Sequence, residues 1–244
     1  MKKESDSGGT SFIPGIHNYC DKWCERCNKT DYCDVYDGEK ARPHLKSGMN
    51  IEEFSKSMTD SVARGVEIVK VWAQKRGIHV ENHFPEELRV EDEDVEREAK
   101  SNEIVQTADS YMMNVMEWFE KNEDLFKSKA ETSEAGPEAD DIKECTDIIT
   151  WDHTLIKHKI YRAVSGKIYG WPEILSEYPP EYDGAAKLSL LCIERSITAW
   201  MNLRKYFPEH EDEIMGFVLQ LSHMMDAVNK EFPRAMEFKR PGLD

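Results

Sequence analysis

From Ile51 to Val228 the apolar residues of this chain recur at spacings of three and four, and over no useful length do they alternate one-for-one with polar residues. A step of three or four keeps side chains on one face of an α-helix, whereas a half-buried strand needs a period of two. The pattern therefore predicts an all-α fold. A first stripe, Ile51, Phe54, Met58, Val62, Gly65, Val69 and Trp72, predicts a helix that ends near Gly77, with Asn50 and Glu53 spaced as a capping pair. After a connector at 79–85, the acidic run Glu91-Asp92-Glu93-Asp94 is placed to open a second helix through Ile104, Ala108, Tyr111, Val115 and Trp118, because carboxylates favour a helix N-terminus.

A polar linker over 129–140 precedes a third stripe, Ile142, Cys145, Ile149, Asp152, Ile156, Ile160 and Ala163, which Gly166 is expected to end. The fourth helix, from about Asp183 to Phe207, is apolar on two faces and should be central. The fifth spans roughly Glu211 to Glu231. The expected architecture is an antiparallel bundle of about five long helices over 50–244, behind a small cysteine-bearing, metal-binding segment at 12–49 and a polar, disordered arm at 1–11.

Asp and Glu number 48 against 32 Lys and Arg, a net charge of −16. Such a chain repels phosphate backbones and anionic lipid surfaces, so neither nucleic acid nor membrane is expected as a partner; an acidic surface suits a protein partner instead. No apolar run long enough for a signal-peptide core or a membrane span is present, and the default location is cytoplasmic. In that reducing compartment closely spaced cysteines read as metal ligands before they read as disulfides.

Four of the six cysteines, Cys20, Cys24, Cys27 and Cys33, follow a C-x3-C-x2-C-x5-C spacing, while Cys145 and Cys192 stand apart. The group is expected to hold one metal centre, a [4Fe-4S] cluster first and Zn²⁺ second. If Cys20, Cys24 and Cys27 lie on a helical turn, their thiols share one face and Cys33 returns from the following turn. A single zinc holds its sulfurs about 2.3 Å from the metal, yet Cys20 and Cys27 on a continuous helix are separated by about 10 Å of rise. A cubane cluster spreads its sulfurs to about 6 Å and fits that spacing better. Tyr19, Trp23 and Tyr32 between the ligands are expected to pack the segment on the bundle, and His17 to stand behind the thiols.

The C-x2-C-x5-C portion resembles the cluster loop of helix-hairpin-helix DNA glycosylases, but no hairpin glycine signature follows and the charge is wrong for gripping DNA. The C-x3-C-x2-C portion alone matches radical S-adenosylmethionine enzymes, whose barrel needs strands that this chain does not supply. Taken together, Ile16-His17-Asn18-Tyr19-Cys20, Trp23-Cys24-Glu25-Arg26-Cys27, Asp183-Gly184-Ala185-Ala186-Lys187, Glu194-Arg195-Ser196, Pro208-Glu209 and Arg240-Pro241-Gly242 resemble uncharacterised bacterial helical proteins that carry an HNYCxxWCERC motif. That resemblance implies a shared fold and a bacterial context, and no chemistry.

A ferritin-like di-iron bundle would need Glu-x-x-His pairs. None of the eight histidines has an acidic residue three positions earlier. Asp152 and Arg195 each fall on an apolar stripe and are expected to meet as a buried ion pair, with Lys159 and Glu194 completing a network; unpaired, either would cost several kcal/mol. His153 is expected to be a surface or packing histidine. The methionines Met112, Met113, Met116, Met224 and Met225 are expected to fill core gaps. The expected function is an accessory metal-binding protein; the alternatives are an iron–sulfur electron-transfer protein, or an enzyme with a pocket near Asp152 and Arg195.

Overall fold

The computed structural model describes residues 12–33, 35–36, 86–126, 136–169 and 180–244, with backbone alone over 86–92. The expected arm 1–11, the helix over 51–77, the connector 79–85 and most of 34–49 lie outside the described residues. The molecule is an antiparallel all-α bundle, and no strand occurs among the described residues. Its long helices are α1 (Glu86–Ser101), α2 (Glu103–Lys121), α3 (Pro137–Tyr169), α4 (Glu181–Leu203) and α5 (Glu211–Glu231). No described helix is long and apolar enough to cross a membrane.

Three boundaries differ from the periodicity. The acidic run over 91–94 lies inside α1, which begins five residues earlier, and the continuous second helix is instead divided at Asn102. Asn102 adopts an extended backbone and its side chain accepts the Ile104 N–H at 2.9 Å, so it caps α2. The asparagine carbonyl thereby satisfies one of the orphan N–H donors that every helix start exposes.

Gly166 does not end α3, which continues to Tyr169. A Cβ at Gly166 would lie 3.2 Å from the Cβ of Tyr182, so the glycine lets α3 and α4 approach closely rather than terminating a helix. Pro137 occupies the first position of α3, where a missing N–H costs nothing.

The order of packing follows the stripes. α3 and α4 form the most extensive contact, α5 packs on α4 and α2, and α1 and α2 lie against α3. α4 is central, as its two apolar faces imply, and the run Asp183–Leu190 is buried without interruption.

The core is aromatic. Trp200, fully buried, stacks on Phe217 at 4.6 Å, meets Trp118 edge-on at 5.3 Å and donates its indole N–H to the Tyr111 hydroxyl at 3.0 Å. Trp118 in turn donates to Glu213 at 2.7 Å, so each buried ring satisfies its polar handle. Met224 is buried among these helices, but Met113 and Met116 are exposed and fill no gap.

Because Trp200 joins α4 to α2 and α5, Trp200→Ala should lower unfolding free energy by about 3–5 kcal/mol, read from the midpoint of a denaturant titration at unchanged slope.

Candidate metal centre

The chain through the cysteines is not helical. Only three-residue 3₁₀ turns occur there, at Ile16–Asn18, Cys24–Arg26 and Thr30–Tyr32. Lys22 has φ 57°, a left-handed conformation rare for a residue with a Cβ, and it breaks the path between Cys20 and Cys24. The expected helical face of three thiols is therefore wrong, and the axial-rise objection to zinc falls with it.

The turns nevertheless bring the four thiols together. Cys20, Cys24, Cys27 and Cys33 all line one cavity of about 30 Å³, with His17, Lys22 and Lys29 also in its wall. That space exceeds the roughly 10–15 Å³ that one water requires, so the thiols surround a volume instead of closing on each other. Among the described residues no group of three or more His, Cys, Asp or Glu is arranged to hold a metal ion. Glu194 is exposed.

The Lys29 N–H donates to the Cys27 sulfur at 3.3 Å, whereas the Cys20 thiol donates to the His17 carbonyl at 3.6 Å. Burial pushes the Cys20 thiol pKa up, while the Lys22 N–H works in the opposite direction. An incoming cation would therefore have to displace the Cys20 proton, which ties binding to pH.

Positive charge collects around these thiols. Lys22 and Lys29 stand in the wall, and Lys159 of α3, 6% exposed, donates to the Asn18 carbonyl at 3.2 Å. Burial lowers the Lys159 pKa, with Arg162 and Lys22 pushing the same way and Cys20 opposing. In a chain of net charge −16, Lys22 and Lys29 in the wall, with Lys159 nearby, offset part of the charge that four sulfurs would bring once ionised.

The segment is clamped to the bundle. Trp23 stacks on Trp151 of α3 at 5.1 Å, and Trp151 donates its indole N–H to the Asp21 carbonyl at 2.9 Å. Tyr19 packs on Phe238 at 4.8 Å and lies over Gly184, where an added Cβ would sit 2.5 Å from its ring. Arg26 covers the face of Trp23 at 3.8 Å and reaches Glu144 and Asp147 of α3. Tyr32, 43% exposed, takes no part in this packing.

Arg195 closes the arrangement. Its Nε and Nη2 grip both carboxylate oxygens of Asp152, the former at 2.8 Å, and its Nη1 donates to Asp21 at 2.8 Å. The expected pair between α3 and α4 is present, but Asp21 completes it in place of Lys159 and Glu194. Burial disfavours the guanidinium charge, yet the bonds to Asp152 and Asp21 outweigh it and raise the Arg195 pKa above its ordinary value. His153, 9% exposed, is a packing residue whose pKa burial lowers.

Sequence reasoning also missed the C-terminal tail. Asp244 accepts from Arg240 through Nε and Nη2 and from Lys187 of α4 at 2.6 Å, while Lys187 also donates to the Phe238 carbonyl. Leu243, held by this anchor, lines the cysteine cavity. The role of Asp21 has no local pattern, and although Arg240 and Asp244 are only four residues apart, their anchoring to Lys187 joins residues 57 apart in sequence. The chain matches no protein-family model, no curated protein and no solved structure, so the site is read from its own geometry.

Arg195→Met would leave the Asp152 carboxylate, 0% exposed, without its partner. Unfolding free energy should fall by about 3–5 kcal/mol, and Asp152→Leu added to Arg195→Met should recover most of it, as a double-mutant cycle would show.

Burial opposes the Asp244 charge, but the Arg240 and Lys187 bonds outweigh it and hold this carboxyl well below the usual aspartate range. A depressed folded pKa contributes stability that is complete above the unfolded value of about 3.9 and is lost as pH falls toward the folded one. Wild type should therefore exceed Asp244→Asn in stability at neutral pH, with the margin shrinking below about pH 4 in parallel unfolding titrations.

Proposed function

We propose that this is a metal-binding protein whose four N-terminal cysteines hold one all-thiolate centre, docked on the helical bundle, in an accessory role toward a protein partner. The observation that carries the reading is the convergence of Cys20, Cys24, Cys27 and Cys33 on one cavity, where the Lys29 N–H donates to the Cys27 sulfur. An amide donating to sulfur favours thiolate over thiol and tunes metal–thiolate centres. The cationic wall of Lys22 and Lys29 supports the same charge state.

A [4Fe-4S] cluster is favoured over zinc. The support is that the four thiols share one cavity, and a cubane accepts a more widely spaced Cys₄ set than a single zinc ion does. When bound, the cluster would supply one-electron redox chemistry; Cys20, Cys24, Cys27 and Cys33 would hold it, with Trp23 and Leu243 limiting water. An electron-transfer role is the second reading, since a cluster held by these thiols would cycle one electron. The acidic remainder of the surface suits a basic protein partner and disfavours nucleic acid.

Anaerobically purified protein should show a broad absorption near about 400 nm that bleaches with dithionite, as thiolate-bound clusters do. Ser in place of Cys20, Cys24, Cys27 or Cys33 should abolish it, whereas Cys145→Ser should not. A colourless protein with stoichiometric zinc would retain the four-cysteine centre and overturn the redox reading. Protein that takes up neither metal would overturn both.

A further inference from the structure

A second, larger cavity shares a wall with the cysteine cavity, and its contents point to a ligand. Cys20, Asp21, Trp23, Cys27 and Leu243 line both, but the larger one holds about 500 Å³, within the range typical of small-molecule sites at roughly 300–1,000 Å³. It lies where the cysteine segment, α3, α4 and the C-terminal tail meet. We propose that it binds a small organic carboxylate with an apolar body.

The apolar side is supplied by Leu188 and Leu191 of α4 and by Leu243, beside the Trp23 indole. The polar side is supplied by three guanidiniums, Arg26, Arg195 and Arg240. The carboxylates in the wall, Asp21 and Glu144, already accept from Arg195 and Arg26. Each guanidinium has five N–H donors. Arg240 spends Nε and Nη2 on Asp244, and among the described residues its Nη1 meets no acceptor. Arg195 places one bond on each of its three nitrogens, which leaves each terminal nitrogen a further N–H.

These donors are fixed before any ligand arrives. Arg195 is held from two sides by Asp152 and Asp21, and Arg240 is held by an aspartate that Lys187 also anchors. Fixing a planar fork in advance removes much of the ordering cost of binding, and a guanidinium edge matches a carboxylate in shape. Because the two carboxylates of the wall already accept from Arg195 and Arg26, the unspent groups of the polar side are N–H donors, which suit an anion better than an ammonium. The chain's net negative charge opposes an anion only at long range, where salt screens it over about 8 Å, while the guanidiniums act at contact.

This inference goes beyond the four-cysteine reading and does not require a particular metal. The test is calorimetric titration of the full chain, its metal content already determined, with hexanoate, and with hexylamine and 1-hexanol as cationic and neutral counterparts. Hexanoate should bind saturably at one site, about tenfold or more tighter than either counterpart. Arg240→Gln should weaken it about tenfold or more. Leu191→Trp, which fills the cavity from a half-buried position on α4, should abolish it, with an unchanged helical circular-dichroism spectrum showing that the fold persists.

Absence of saturable binding up to about 10 mM would overturn the proposal. So would hexylamine binding as tightly, or hexanoate binding unchanged in folded Leu191→Trp. Metal-loaded protein that ignores hexanoate would sink this inference alone. Protein that binds hexanoate while taking up neither iron nor zinc would sink the four-cysteine reading alone.

Discussion

Arg195 is the residue on which the arrangement of this molecule depends. Its guanidinium joins three pieces of chain that are far apart in sequence: Asp152 on α3, its own helix α4 and Asp21 in the cysteine segment. A buried ion pair is weak support for stability when compared with apolar residues of the same shape, but removing one partner is costly. Asp152 is fully buried and Asp21 half-buried, so the guanidinium works as a fixed joint that sets where the cysteine segment sits on the bundle.

Around that joint the local chemistry runs against the bulk composition. The chain as a whole is strongly acidic, yet lysines and arginines gather where the four thiols and the larger cavity meet. Lys159, Lys22 and Lys29 stand by the sulfurs, while Arg26, Arg195 and Arg240 stand by the neighbouring cavity. The buried and half-buried members among them, Lys159, Arg195 and Arg240, are compensated by a carbonyl or by aspartates. Lys22 and Lys29 remain beside the sulfurs, where they favour thiolate against the burial that raises the Cys20 pKa.

The helices were legible because period is a local signal. α5 and the central character of α4 follow directly from where Ile214, Phe217, Leu221, Leu190 and Ile193 fall. The errors came where tertiary contact outweighed a local rule. Gly166 reads as a stop, yet the approach of Tyr182 makes it a contact glycine within a longer helix. The thiols read as a helical face, yet Lys22 in a left-handed conformation and the Trp23–Trp151 stack impose a turn. The Asp152–Arg195 pair could be inferred from two charges on apolar stripes, but its third member could not, because nothing near Asp21 in sequence announces α4 as its partner.

The central claim is that Cys20, Cys24, Cys27 and Cys33 share one metal centre. An iron-edge X-ray absorption spectrum of protein isolated and kept without oxygen tests it most directly. The account predicts iron in an all-sulfur first shell with a second shell of neighbouring iron, and the four N-terminal thiols shielded from a thiol reagent until the iron is removed. Folded, metal-free protein from the same preparation, with all four N-terminal thiols reacting independently, would contradict it.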